Sequence, residues 1–205
     1  MIRLADFIVK FLEKKGIRIV FTVSGGGSIF LCDALYKSKK ISYVSHHHEQ
    51  AASFAAESYA RTKKDVGCCF VTTGPGGTNT VTGVSSAWMD SVPVIFISGQ
   101  VFLKQTIQNS NKRQVGVQEI NIIDLVKPIT KFSKMITDPN TINFYLEKAY
   151  SICNSGRPGP VFLDIPADIQ NALIDEKKII KQKYKPKKIN YLIDKKIDII
   201  IKKLK

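Results

Sequence analysis

No apolar run in this chain approaches the roughly 18 residues that a helix needs to cross a bilayer, so no membrane-spanning segment is expected. The N-terminal stretch supplies none either, because Ile2, Phe7, Ile8, Phe11 and Leu12 are interrupted by Arg3, Asp6, Lys10 and Glu13. That pattern reads as an amphipathic helix, not a signal peptide. Cys32, Cys68, Cys69 and Cys153 have no C-x-x-C spacing, which favours reduced thiols and a cytoplasmic location. Acidic residues are scarce, 17 against 31 Lys and Arg, for a net charge of +14. Yet +8 of that charge falls within Ile174 to Lys205, and no patch interleaves basic with aromatic residues, so nucleic acid is not an expected partner.

What remains is a 205-residue chain with 44% hydrophobic residues, enough for one good core and an appendage. Short β-rich runs at 18–24, 41–45, 66–73, 94–98, 129–136 and 161–165 alternate with helical segments, notably 49–62, 78–89 and 139–154. Apolar strands alternating with longer helices call for a parallel sheet covered by helices on both faces, hence an α/β fold. Residues 99–119 are polar and weakly periodic, a long loop of the kind that carries function. The domain is expected to occupy 1–173, followed by a lysine-rich linker at 174–188. Ile189, Ile193, Ile197, Ile200 and Leu204 then form a helical stripe over 189–205, read as the first helix of a missing central domain.

Three strand-to-helix junctions carry the chemistry, as open α/β sheets bind ligands at the carboxyl ends of their strands. They are Ser24-Gly25-Gly26-Gly27-Ser28, His46-His47-His48-Glu49-Gln50, and Thr72-Thr73-Gly74-Pro75-Gly76-Gly77-Thr78-Asn79. Taken singly each has a plain explanation. A carboxylate in the first turn of a helix suits the helix dipole, and a glycine-rich turn packs helix on strand. Three adjacent histidines point to alternate faces of a strand and have no second cluster to complete a metal site. The last turn lacks both the G-x-G-x-x-G and the G-K-[ST] spacing, so a nucleotide site there is weakly supported.

Read together, these junctions, with Tyr59-Ala60-Arg61, Met89-Asp90-Ser91-Val92-Pro93, Ser98-Gly99-Gln100, Gln118-Glu119, Lys127-Pro128-Ile129-Thr130-Lys131 and Gly156-Arg157-Pro158-Gly159-Pro160-Val161, resemble in their order the N-terminal, pyrimidine-binding domain of acetolactate synthases. The His-His-Glu-Gln-Ala form is closest in look to members found with bacterial surface-polysaccharide pathways. The resemblance implies a thiamine-diphosphate enzyme acting on a 2-keto acid such as pyruvate by decarboxylation or carboligation. Glu49 would be the catalytic residue, hydrogen-bonding the pyrimidine ring of the cofactor to activate it. Pro75, Asn79 and Gln118 would line the cofactor site, and Ser24, Gly25 and Gly26 would approach its aminopyrimidine side.

The resemblance further implies magnesium, held by a domain or chain absent here, because no G-D-G motif followed by Asn occurs. It allows FAD in a full-length protein. Assembly as a homodimer or tetramer, or with a separate diphosphate-binding subunit, is expected, and this chain alone is expected to be inactive. Two departures bear on the substrate: Val23-Ser24 stands where many acetolactate synthases have Tyr-Pro, and Val117 where they have Phe. The competing reading is a non-catalytic interaction or assembly module that keeps the fold, against which the retention of Glu49 argues.

Overall fold

The computed structural model describes residues 1–107, 110–180, 184 and 194–204. The chain runs β1 (Ile2–Arg3), α1 (Leu4–Lys14), β2 (Ile19–Thr22), α2 (Ile29–Lys37), β3 (Ser42–Ser45), α3 (Glu49–Lys63), β4 (Gly67–Val71), α4 (Pro75–Thr78), α5 (Val81–Met89), β5 (Val94–Gln100), α6 (Ile122–Val126), β6 (Phe132–Met135), α7 (Ile142–Asn154), β7 (Val161–Pro166), α8 (Ala167–Asn171), β8 (Leu173–Ile174), α9 (Glu176–Ile179) and α10 (Asp194–Leu204). Six strands form one parallel sheet in the order β3-β2-β4-β5-β7-β6, and β1 pairs antiparallel with β8 beside it.

The inner strands β4, β5 and β7 are buried throughout, as continuous apolar runs should be when helices cover both faces. Alternation along β4 divides the core. Cys68 and Phe70 join a layer with Leu4, Ile8 and Leu12 of α1, Leu31 of α2 and Leu146 of α7. Cys69 and Val71 join the opposite layer, with Ala52, Ala56 and Ala60 of α3 and Val84 and Ala87 of α5. The alanine face lets α3 lie very close to β4, so close that a Cβ on Gly67 would stand 2.2 Å from the Ala56 carbonyl oxygen. All four cysteines are free. Burial pushes the Cys153 thiol up to about 12 and raises Cys68 well above the usual range, so these thiols pack as small apolar groups.

The region expected to be a linker from residue 174 is docked as far as α9. Ile174 pairs with Ile2, Lys10 meets Glu176 at 3.1 Å, and Ile179 is buried in the first core layer. Two isoleucines in a lysine-rich stretch are enough to bring its first turn onto the core. Of the expected terminal stripe, Ile189 and Ile193 lie outside the described residues, while Ile197, Ile200 and Leu204 are exposed on α10. No described helix is long and apolar enough to cross a membrane.

The chain passes from β2 outward to the edge strand β3 and returns to β4 on the other side of β2. That reversal opens a crevice at the carboxyl ends of β2 and β4, where two of the three junctions emerge.

Candidate active site

Glu49 is the first residue of α3, which follows the edge strand β3. His48 caps the helix: its Nδ1 accepts from the Gln50 backbone N–H at 3.1 Å, so the backbone on which Glu49 sits is fixed by its own neighbour. Favourable helix-dipole placement would explain a carboxylate here. It does not explain the partner. Asn79, 30 residues on at the end of the glycine-rich turn, donates from Nδ2 to Glu49 Oε2 at 2.8 Å. Gly76 of the same turn faces the other oxygen, and a Cβ there would lie 3.4 Å from Oε1. The carboxyl is half-buried and, among the described residues, makes no ion pair.

Thr72 separates this carboxyl from the turn after β2. A Cβ on Gly76 would stand 2.7 Å from Thr72 Cγ2, and one on Gly25 would stand 2.5 Å from it. Thr72 Oγ1 also accepts from the Gly27 backbone N–H at 3.1 Å. Two turns thus close on one threonine side chain, which is possible only where both turns lack side chains at these positions.

Beyond Thr72 opens a cleft of about 370 Å³, whose lining includes the Gly25–Gly27 turn, Thr72, Thr73, Gln100, Val117, Gln118 and Ala167. Gln118 reaches it from the long loop in a left-handed conformation, φ +59°. Its backbone lies against Gly74, where a Cβ would sit 2.1 Å from the Gln118 carbonyl oxygen; Gly74 itself has φ +59°. The loop is held by Glu119, whose carboxylate accepts from Ile107 N–H at 2.5 Å and Val115 N–H at 2.9 Å.

Of the residues singled out in the sequence, Glu49 and Asn79 are brought into direct contact, and Gly25, Gly26 and Gln118 line one cleft. Ser24 and Pro75 are exposed and are not among the residues lining that cleft. The three histidines diverge. His46 tilts against Phe21 with ring centres 5.9 Å apart, His47 is exposed, and His48 caps α3. Among the described residues no group of three His, Cys, Asp or Glu gathers to hold a metal. Sequence reasoning did not single out Thr72, Thr73 or Gln100 as site residues, although all three stand inside the quoted motifs. Ala167 carries no sequence signal at all.

Fully buried beneath the cleft is Asp164 on β7, which accepts from Ser98 Oγ at 2.5 Å and from Gln100 Nε2 at 3.1 Å. Burial is the main force raising its pKa, to about 7; the Glu119 charge adds to it, and the two hydrogen-bond donors oppose it.

Comparison with known proteins supplies the family. Residues 2–125 match the family described as thiamine pyrophosphate enzyme, N-terminal TPP binding domain. The chain is 42% identical over 193 residues to the probable acetolactate synthase large subunit of Methanocaldococcus jannaschii, covering 91% of this chain and 32% of that protein. It is 41% identical over 172 residues to the chloroplastic acetolactate synthase of Arabidopsis thaliana, covering 82% of this chain and 24% of that one. To the acetolactate synthase large subunit of Corynebacterium glutamicum it is 42% identical over 171 residues, covering 83% and 26% respectively. The chain therefore spans about a quarter to a third of the length of these relatives.

Proposed function

Since this chain belongs to the thiamine pyrophosphate enzymes, matching their N-terminal TPP binding domain, we propose that it forms the pyrimidine-binding side of an active site for decarboxylation or carboligation of a 2-keto acid such as pyruvate. Thiamine diphosphate, when bound, supplies the electron sink that such carbon–carbon bond cleavage requires. The observation that carries this reading is the Glu49 carboxyl, held by Asn79 through one oxygen and faced by a glycine at the other.

That arrangement fits a heterocycle. Asn79 orients the carboxyl plane, and Gly76 offers no side chain beside Oε1, where Glu49 would share a proton with a ring nitrogen. Thr72 and the Gly25–Gly27 turn would form one wall, and Gln118 would reach toward the bound molecule from the long loop. Magnesium and the diphosphate are assigned to a domain outside residues 1–205 or to a separate diphosphate-binding subunit, within an assembly that is a homodimer, a tetramer or a complex of two polypeptides. A single carboxyl and a cleft of this size would grip the cofactor weakly by themselves, so turnover requires that partner.

The test is a titration of the chain with thiamine diphosphate and magnesium, followed by backbone amide shifts at millimolar ligand, beside a parallel titration with ATP. Shifts at Gly25–Gly27 and Thr72–Asn79 with thiamine diphosphate alone are expected. Equal shifts with ATP, or none at those turns, would overturn the assignment.

A further inference from the structure

One amide side chain touches both walls of the cleft. Gln100, at the end of β5, is 1% exposed and has all its hydrogen-bonding capacity used. Its Nε2 donates to the Ile120 carbonyl at 3.0 Å and to Asp164 Oδ2 at 3.1 Å. Its Oε1 accepts from the Val101 backbone N–H at 3.0 Å and from the Thr73 hydroxyl. Ile120 closes the loop that carries Gln118, and Thr73 opens the glycine-rich turn that carries Asn79. The Thr73 carbonyl in turn accepts the Gly76 N–H at 3.2 Å.

The orientation of that amide is decided by what surrounds it. The Ile120 carbonyl on one side only accepts and the Val101 backbone N–H on the other only donates; rotating the amide by half a turn would set oxygen against oxygen and N–H against N–H. Asp164 is itself held by Ser98 from the neighbouring strand, where Ser98 and Asp164 are register partners. The order of command therefore runs from Ser98 and Asp164, through Gln100, to both the turn and the loop.

We propose that Asp164 and Gln100 are positioning residues that set the spacing between the glycine-rich turn bearing Asn79 and the loop bearing Gln118. That the cleft so shaped receives a coenzyme is taken from the functional reading above, whereas the grip is tested without any ligand.

Amide hydrogen exchange of the 205-residue chain reads both walls at once. Gly76 N–H, bonded to Thr73 O, reports the turn, and Glu119 N–H, bonded to Gly116 O, reports the loop. Ala52 N–H, bonded to His48 O, reports α3 as an internal control. In Asp164→Ala, exchange at Gly76 and Glu119 is expected to quicken together, by about tenfold or more relative to Ala52. Asp164→Asn keeps an acceptor for Gln100 and is expected to restore both. Thr73→Val cuts only the turn's tie and serves even where Asp164→Ala does not fold; it should quicken Gly76 and leave Glu119 unchanged. Uniform acceleration including Ala52, no rescue by Asn, or a Thr73→Val variant indistinguishable from the unaltered chain would overturn the proposal. Adding thiamine diphosphate with magnesium to the unaltered chain separates the two ideas, because failure to protect Gly76 counts against the functional reading alone.

Discussion

Two carboxyl side chains stand near the same rim of the sheet and have opposite surroundings. Glu49, beside the exposed edge strand β3, is half-buried, has one neutral donor on one oxygen, and faces a glycine at the other. Asp164, between β5 and β6, is fully buried and has donors on both oxygens. A carboxyl with spare capacity at an opening can serve a ligand; one whose capacity is used inside the core can only hold protein. On the function proposed above, the difference separates a group presented to a ligand from a group that shapes the cleft beside it.

The sharpest way to break that contrast is to remove each acid in turn. In the assembled enzyme, Glu49→Gln should lower turnover by about 10²- to 10⁴-fold, the range for losing a positioned acid or base. Its thermal midpoint should stay within about 2 °C of the parent, because only one neutral contact changes. Steady-state kinetics beside a melting curve measures both, and near-normal turnover would defeat the role given to Glu49.

The turn between the two acids should be the next most sensitive place. Gly74→Ala is expected to cost about 2–4 kcal/mol, since it adds a Cβ at φ +59° and drives it into the Gln118 carbonyl. Urea denaturation gives the value; a loss under 1 kcal/mol would mean that loop and turn are not held together.

Asp164 should also write itself into the pH dependence of stability. Its pKa is raised to about 7 from an ordinary value of 3.8, so the folded chain binds a proton that the unfolded chain releases. Its contribution is therefore fully favourable below about pH 4 and is lost progressively as pH rises to about 7, at up to about 1.4 kcal/mol for each pH unit. Comparing urea midpoints from pH 4 to 7 in the parent and in Asp164→Asn isolates this slope, which the variant should lack.

The smallest expected effect lies beside Glu49. His48→Ala removes the α3 cap and should cost about 1 kcal/mol, whereas His48→Asn should largely restore it. If the Asn variant fares no better than the Ala variant, the cap does not secure the helix start that carries Glu49.

Much of the architecture was legible because each inner strand is an apolar run and each helix has a periodic face; β4, α3 and α7 lie close to where their patterns ask. The docking of 174–180 was not legible, since Ile174 and Ile179 are too few to mark a packed segment until Ile2 and α1 are there to receive them. At the site, Glu49 and the glycine turns stood out as residue types at junctions. Gln100 and Asp164 did not, because a glutamine and an aspartate in neighbouring strands look ordinary until the register of β5 and β7 sets Asp164 opposite Ser98, two residues before Gln100, and brings the Gln100 amide within reach of it.

By itself the sequence determined the alternation of strand and helix, the three junctions and the acid that opens α3, because these are set by local periodicity and turn chemistry. Only the tertiary structure decided that Asn79 meets Glu49, that Thr72 is enclosed by two glycine turns, and that one amide spans both walls of the cleft. Those contacts join residues 20 to 64 positions apart, and strand order and register alone bring them within hydrogen-bonding reach.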